Sequence, residues 1–366
     1  MTDGPILLCY GTRPQVIKAS CLVPALRSLG PVVTVDSGQH YDFALNGLLY
    51  QQLEVAPPDR FLEVGSGPLV EQTAAIMVRV AAVFAEVRPR VVVVIGDTIS
   101  TLGAGLAAAQ QRIPLVHVEA GLRCNDPQMA EEISRRAVDH AAQLLCAPSV
   151  SAAERLRSER VSGTIAVTGD VARDALGRAL PAARRAVDAR VWPFSLSQPF
   201  ALATVHRAEL VDHRTKLAAA LDALAAVGIP VLLPLHPRTR ANLERHGLTS
   251  RLTGSLHPND PVGYLEAVGL ADRAALIITD SGGLQREAYW LGRPCLTLRH
   301  ETEWTETVMC GANQLVPVET APAHLPSLAA ARLARPPAPW DQAAYGTGDA
   351  ARRIGAAIRA WLGGLH

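Results

Sequence analysis

Short, wholly apolar runs alternate with longer Ala/Leu/Arg-rich stretches along the first half of this chain, and that alternation constrains the fold more than any other feature. The runs lie at residues 6–10, 32–35, 91–95, 115–118, 144–146 and 164–167. They are too short for helices and too continuously apolar for strands with one wet face. They read as parallel strands buried on both sides. The stretches between them, such as 70–87 and 102–111, carry helical patterns. Strand alternating with helix predicts right-handed βαβ units and a doubly wound α/β sheet. The pattern pauses at 176–198, where a helical stretch is followed by Trp192-Pro193 and Gln198-Pro199, and this reads as an interdomain segment. A second strand series follows at 200–205, 230–235, 275–279, 294–298 and 315–318. A Pro-rich stretch at 334–340 precedes a last helix at about 349–362. At roughly 100–200 residues per domain, 366 residues in two strand series predict two domains.

Composition narrows the function classes. Hydrophobic residues make up 49% and charged residues 19%, which suits packed cores and excludes a disordered chain. The net charge is +1 and no basic block stands out, so nucleic acid is not an expected partner. No run of about 18 apolar residues occurs, so no membrane span is expected. The opening MTDGPILLCYG has no basic segment ahead of its apolar run, and the expected location is cytoplasmic. The six cysteines, Cys9, Cys21, Cys124, Cys146, Cys295 and Cys310, form no CxxC pair and are expected to be reduced thiols, mostly buried. Of 35 basic residues only Lys18 and Lys216 are lysine, so a lysine in a motif stands out.

Doubly wound sheets place ligands beyond the carboxyl ends of their strands, so the residues after each run carry the functional information. The first run leads into Gly11-Thr12-Arg13-Pro14-Gln15-Val16-Ile17-Lys18, a strand-to-helix turn with two cations about a helical turn apart, suited to an anion at a helix N-terminus. The 91–95 run leads into Gly96-Asp97-Thr98, and the next into Glu119-Ala120-Gly121-Leu122-Arg123. Glu131 and Glu132 open the following helix, with Arg135 and Arg136 behind them. Asp97, Glu119 and Glu131 all fall at or beyond strand ends on one side of one sheet. Three converging carboxylates suggest proton transfer and stabilisation of a developing cation. They could also serve a metal, but no His cluster with ligand spacing accompanies them, so none is expected. In the second half, strand ends give His206-Arg207 and His236-Pro237-Arg238. The most specific local pattern is Thr279-Asp280-Ser281-Gly282-Gly283-Leu284-Gln285-Arg286-Glu287: strand, Ser-Gly-Gly turn, helix. Its glycines let backbone N–H groups approach a phosphate, and Glu287 is placed to accept hydrogen bonds from a ribose diol. Neither GxGxxG nor GxxxxGK[ST] occurs.

With these residues in view, the chain resembles the non-hydrolysing UDP-N-acetylglucosamine 2-epimerase family over nearly its whole length. The marks are residues 11–18 (GTRPQVIK), 38–40 (GQH), 96–98 (GDT), 117–123 (HVEAGLR), 131–132 (EE), 204–207 (TVHR), 235–238 (LHPR), 280–287 (DSGGLQRE) and 299–308 (RHETEWTETV), in the family's order. The resemblance implies a GT-B fold: two Rossmann-like domains facing across a cleft, with the last helix crossing back to the first. The expected division is 1–172 plus about 348–366, and 173–347. It further implies that Arg13, Lys18, His206, Arg207, His236, Ser281, Gly282, Gly283 and Glu287 bind the UDP-sugar, with Glu287 on the ribose. Asp97, Glu119, Glu131 and His206 are the implied catalytic groups, and no cofactor is implied. Where many members have Glu after Arg-Pro, this chain has Gln15. Where many have Arg after Thr-Glu, it has Trp304. Where several have Pro before the paired glutamates, it has Ala130.

The chemistry explains a need for several carboxylates. The C2 proton of a UDP-N-acetylhexosamine is not beside a carbonyl, so direct abstraction is difficult. Departure of UDP from C1 creates an oxocarbenium-like centre and acidifies C2. The implied route is anti elimination to UDP and 2-acetamidoglucal, then re-addition with a proton delivered to the other face. Several motifs also look like members acting on UDP-2,3-diacetamido-2,3-dideoxyglucuronate. A hydrolysing epimerase, a GT-B glycosyltransferase and a nucleotide-sugar sensor are the other readings. A homodimer is the expected assembly. Members that use a second UDP-N-acetylglucosamine as activator carry a Gln where this chain has Asp42, two residues after His40, and an Arg where it has Ala75, so no activator requirement is expected.

Overall fold

Four valines and an isoleucine in a row, Val91–Ile95, are wholly buried at the middle of the first sheet. Covering a Val or Ile side chain of this kind is worth about 1.5–3 kcal/mol, so a pentapeptide of them fixes where a core must form. The computed structural model describes residues 4–39, 50–53, 55–124, 126–127, 129–334 and 339–364. His40 and Asp42 lie outside the described residues. The chain divides into two units, Met1–Arg178 with Ala343–His366, and Ala179–Gln342.

In the first unit the strands are β1 (Ile6–Tyr10), β2 (Val32–Asp36), β3 (Arg60–Phe61), β4 (Val91–Ile95), β5 (Leu115–Val118), β6 (Leu144–Ala147) and β7 (Thr164–Val167). They form a parallel sheet in the order β3-β2-β1-β4-β5-β6-β7. Cys9 of β1 pairs with Val35 on one side and Val94 on the other, so the sheet is built outward from its most apolar strands. Its carboxyl edge collects the ends of β1, β4 and β5 side by side. The first helix, Arg13–Arg27, contains Pro24, which has no N–H to give the carbonyl of Ser20. The Arg178 guanidinium donates to that carbonyl instead, at 3.1 Å.

In the second unit β8 (Ala201–Thr204), β9 (Val231–Pro234), β10 (Leu256–Asn259), β11 (Leu276–Thr279), β12 (Cys295–Thr297) and β13 (Asn313–Leu315) form a parallel sheet in the order β10-β9-β8-β11-β12-β13. The chain then returns to the first unit. Helix Ala350–Gly363 packs on helix Arg13–Arg27 and β6, burying Ile354 and Ile358. The Ala350 and Ala351 amides at its start donate to the Asp174 carboxylate at 3.0 and 2.8 Å. No described helix is long and apolar enough to cross a membrane.

The structure adds two strands to those expected and moves the last one. Strands β3 and β10 carry too weak a pattern to be read: one is two residues long, and the other is Leu-His-Pro-Asn. Pro258 is tolerated because β10 is an edge strand. The last strand is Asn313–Leu315, not 315–318. Buried Asn313 earns its place by hydrogen bonds, accepting from Thr297 Oγ1 at 2.8 Å and donating to Gln285 Oε1 at 3.1 Å. The end of the segment read as interdomain is packed. Trp192, Phe194 and Leu196 pack on the second core, and the Trp192 indole N–H donates to the Val187 carbonyl at 3.0 Å.

Candidate active site

At the carboxyl edge of the first sheet, a Cβ on Gly11 would lie 1.9 Å from Ser37 Oγ and 2.2 Å from Ser100 Oγ. Those two hydroxyls sit 2.7 Å apart, so only glycine lets the turn after β1 pass over them. Arg13 opens the helix, half-buried, and makes no ion pair with any described residue. Lys18 is different: it is buried and its ammonium pairs with the Glu119 carboxylate, directly above Gly96. Glu119 holds a left-handed backbone, φ 72°, unusual for a residue with a side chain. The amides of Glu119 and Ala120 both donate to the Cys146 carbonyl, at 3.0 and 3.1 Å. These bonds and the ion pair hold a conformation that costs of order 1–3 kcal/mol.

Asp97 follows Gly96 and pairs with Arg135. It does not cap the next helix. Thr98 does, its hydroxyl accepting from the Thr101 amide. The paired glutamates separate. Glu131 is exposed on the first turn of helix Ala130–Ala141. Glu132 is buried, 3.1 Å from the Cys124 amide and 2.8 Å from Arg136 Nε. Behind them lies a network that sequence reasoning missed. His117, fully buried in β5, has Nδ1 2.7 Å from Asp139 Oδ1 and Nε2 2.8 Å from the Gly96 carbonyl. Asp139 also accepts from the Gly121 amide and pairs with Arg123 at 2.7 Å, and Arg123 grips Glu159 at 2.6 Å. Burial pushes the Asp139 carboxyl up, but His117 and Arg123 outweigh it and hold it below the usual carboxylate range. The available signal was a histidine inside an apolar strand run.

At the carboxyl edge of the second sheet, Asp280 gathers the loop after β8. Its Oδ2 accepts from the His206 and Arg207 amides at 2.7 and 2.8 Å, and its Oδ1 lies 3.1 Å from His206 Nδ1. Burial alone would make His206 less basic. The Asp280 hydrogen bond and charge outweigh it and lift the imidazole pKa above its ordinary value. His236 caps helix Pro237–Arg245, its Nδ1 accepting from the Arg238 amide at 3.2 Å, with its ring centroid 5.7 Å from that of His206. Ser281 caps helix Gly282–Trp290. A Cβ on Gly282 would lie 2.8 Å from Glu303 Oε1 and 3.3 Å from Trp304 Nε1, whereas Gly283 is exposed with room above it. Trp304 is buried, and the Arg286 guanidinium lies 3.9 Å from its ring centroid, within cation–π range. Burial pushes the Glu287 carboxyl up to about 7, against the opposing charge of Arg286. Among the described residues no His, Cys, Asp and Glu cluster that could hold a metal ion occurs.

Two parallel α/β units, each with its polar groups at strand carboxyl ends, define an enzyme of the GT-B class. The family model described as UDP-N-acetylglucosamine 2-epimerase matches residues 28–359, and the chain belongs to that family of isomerases. It is 40% identical over 322 residues to the UDP-2,3-diacetamido-2,3-dideoxy-D-glucuronate 2-epimerase of Pseudomonas aeruginosa, covering 85% of this chain and 88% of that one. It is 36% identical to the UDP-N-acetylglucosamine 2-epimerase of Methanocaldococcus jannaschii, covering 84% and 87%. Among solved structures, the M. jannaschii enzyme in complex with UDP-GlcNAc and UDP superposes with a TM-score of 0.87 at 33% identity, covering 98% of this chain and 99% of that one. A sucrose-phosphate synthase of Thermosynechococcus elongatus, at 18% identity and TM-score 0.59 over 99% and 98% of the two chains, shares the fold.

Two outcomes follow from these geometries. Lys18→Met should lower kcat by about 10²-fold, the scale of a misplaced catalytic group, while UDP affinity measured by calorimetry changes less than threefold. A matching loss of UDP affinity would put Lys18 on the nucleotide rather than on Glu119. A ribose diol that donates to the Glu287 carboxylate, as the family resemblance implies, would favour its charged form. Uridine, which has no phosphate to titrate, should therefore bind about tenfold tighter at pH 8 than at pH 6. In Glu287→Gln the affinity should be flat with pH.

Proposed function

We propose that the chain interconverts a UDP-N-acetylhexosamine and its C2 epimer, UDP-N-acetylglucosamine and UDP-N-acetylmannosamine, by anti elimination of UDP and re-addition through 2-acetamidoglucal. The observation that carries this reading is the gathering of Asp97, Glu119 and the Lys18 ammonium at the carboxyl edge of one sheet, in a chain of this family. In this reading Ser281, Gly282 and Gly283 hold the diphosphate by backbone N–H groups, and Glu287 holds the ribose. Arg13, Arg207 and His236 add donors to the UDP-sugar. His206, made more basic by Asp280, stabilises negative charge growing on the departing UDP. Asp97, Glu119 and Glu131 share cation stabilisation and proton transfer at C2. The carbon–hydrogen bond at C2 breaks as the C1–oxygen bond to UDP breaks, and no hydride leaves, so no nicotinamide is required. A second reading, the same reaction on UDP-2,3-diacetamido-2,3-dideoxyglucuronate, is supported by the 40% identity to the P. aeruginosa enzyme.

Turnover of each candidate substrate in D2O, followed by NMR, tests the reaction. The expected product is the C2 epimer still joined to UDP, with deuterium at C2. Free N-acetylmannosamine would indicate hydrolysis, and a product without deuterium at C2 would reject epimerisation. Asp97→Asn, Glu119→Gln and Glu131→Gln should each lower kcat by about 10²-fold or more, the usual worth of a positioned acid or base, with UDP binding retained.

We further infer a homodimer. Helix Leu69–Val87 leaves Val70, Ala74, Val78 and Ala82 exposed in one row, with Val70 81% and Val78 72% exposed. Helix Ile99–Gln110 packs between it and helix Ala130–Ala141, where Ile133 is also exposed. A contiguous apolar surface of this kind suits burial against another protein surface. Light scattering should give a dimer for the wild type and a monomer for Val78→Asp. A monomeric wild type rejects the assembly.

A further inference from the structure

Gln15 stands two residues after Arg13 and three before Lys18, and its hydrogen bonds go to neither. It is buried, and its amide makes five hydrogen bonds. Oε1 accepts from the amides of Gly11 and Thr12 at 2.9 and 3.2 Å and from the Thr12 hydroxyl at 3.3 Å. Nε2 donates to the Ile95 carbonyl at 2.6 Å and to Thr101 Oγ1 at 2.9 Å. The Thr101 hydroxyl itself donates to the Ile95 carbonyl at 2.6 Å. One side chain thus joins three places: the turn after β1 that leads to Arg13, the last carbonyl of β4 before Gly96-Asp97, and the first turn of the helix that Thr98 caps. Only donors surround one end of the amide, and only acceptors or hydroxyls the other, so the group must both accept and donate.

We infer that Gln15 is the positioning residue for the epimerase site proposed above, setting the Asp97 turn against the Arg13 turn through its amide. The inference rests on that reading of Asp97. It explains why a polar side chain is kept wholly inside the protein: an unmatched buried amide is costly, and this one is matched on every face. A displacement of about 1 Å at a reacting group can cost 10²-fold in rate, so a strut between two such turns acts on kcat.

Gln15→Met and Gln15→Glu test it together. The methionine variant should lose at least tenfold in kcat while binding uridine, which the second unit's groups read, within twofold of wild type. In the glutamate variant a protonated carboxyl restores one donor toward the Ile95 carbonyl, whereas a carboxylate would face that oxygen. The charged groups on the elements around it are Asp36 at the end of β2, Arg13, Lys18 and Arg27 on its own helix, Asp97 after β4 and Glu119 after β5. Activity relative to wild type should therefore recover as pH falls and be lost as pH rises through a raised carboxyl pKa. Wild-type kcat in both variants, or equal losses in kcat and uridine affinity, would overturn the inference. An inactive wild type would instead reject the proposed reaction, and loss of uridine binding in Gln15→Met would still count against the positioning role.

Discussion

Three buried cations at and behind the carboxyl edge of the first sheet are each paired with carboxylates, and the local geometry depends on that pairing. Lys18 meets Glu119, Arg135 meets Asp97, and Arg123 joins Asp139 and Glu159. An isolated buried ion is expensive, and removing one partner of a buried pair typically costs 3–5 kcal/mol. Glu119 and Asp97 are drawn to the sheet edge together with cations brought by the first helix and by Ala130–Ala141. The left-handed Glu119 is the visible mark of this constraint. A backbone in that conformation persists where its surroundings over-determine it.

The second unit solves a different problem with different means. In the reading proposed above, its Ser281-Gly282-Gly283 turn presents backbone N–H groups, and the buried Asp280 carboxylate orients a loop. Burial raises that carboxyl, but the His206 ring and the His206 and Arg207 amides outweigh it and keep it below the usual range. The His206 imidazole and the Glu287 carboxyl both shift upward, for different reasons: a carboxylate partner in one case, burial in the other.

Much of this was legible in the chain. The strands of the first sheet could be read because burial on both faces leaves a continuous apolar word, as in Val91–Ile95. The site turns could be read because they interrupt such words with glycine and charge. What escaped was whatever depends on partners remote in sequence. Nothing around Asn313 announces a strand, because its place is set by Thr297 and Gln285. Nothing in Glu131-Glu132 says which glutamate faces inward, since that is decided by Arg123, Arg135 and Arg136. Lys18 stood out by its rarity, but its engagement with Glu119 needs the fold that brings the two together.

The return of the last helix has a consequence for how the protein is made. Helix Arg13–Arg27, which carries Arg13, Gln15 and Lys18, is synthesised well before the helix that packs on it, Ala350–Gly363. All of Ala179–Gln342 is made between them. Domains generally fold in order of emergence, yet here the earlier unit must wait, with one flank open, while the later one is completed. The helix that bears Arg13, Gln15 and Lys18 is thus covered on that flank only after the second unit has been made.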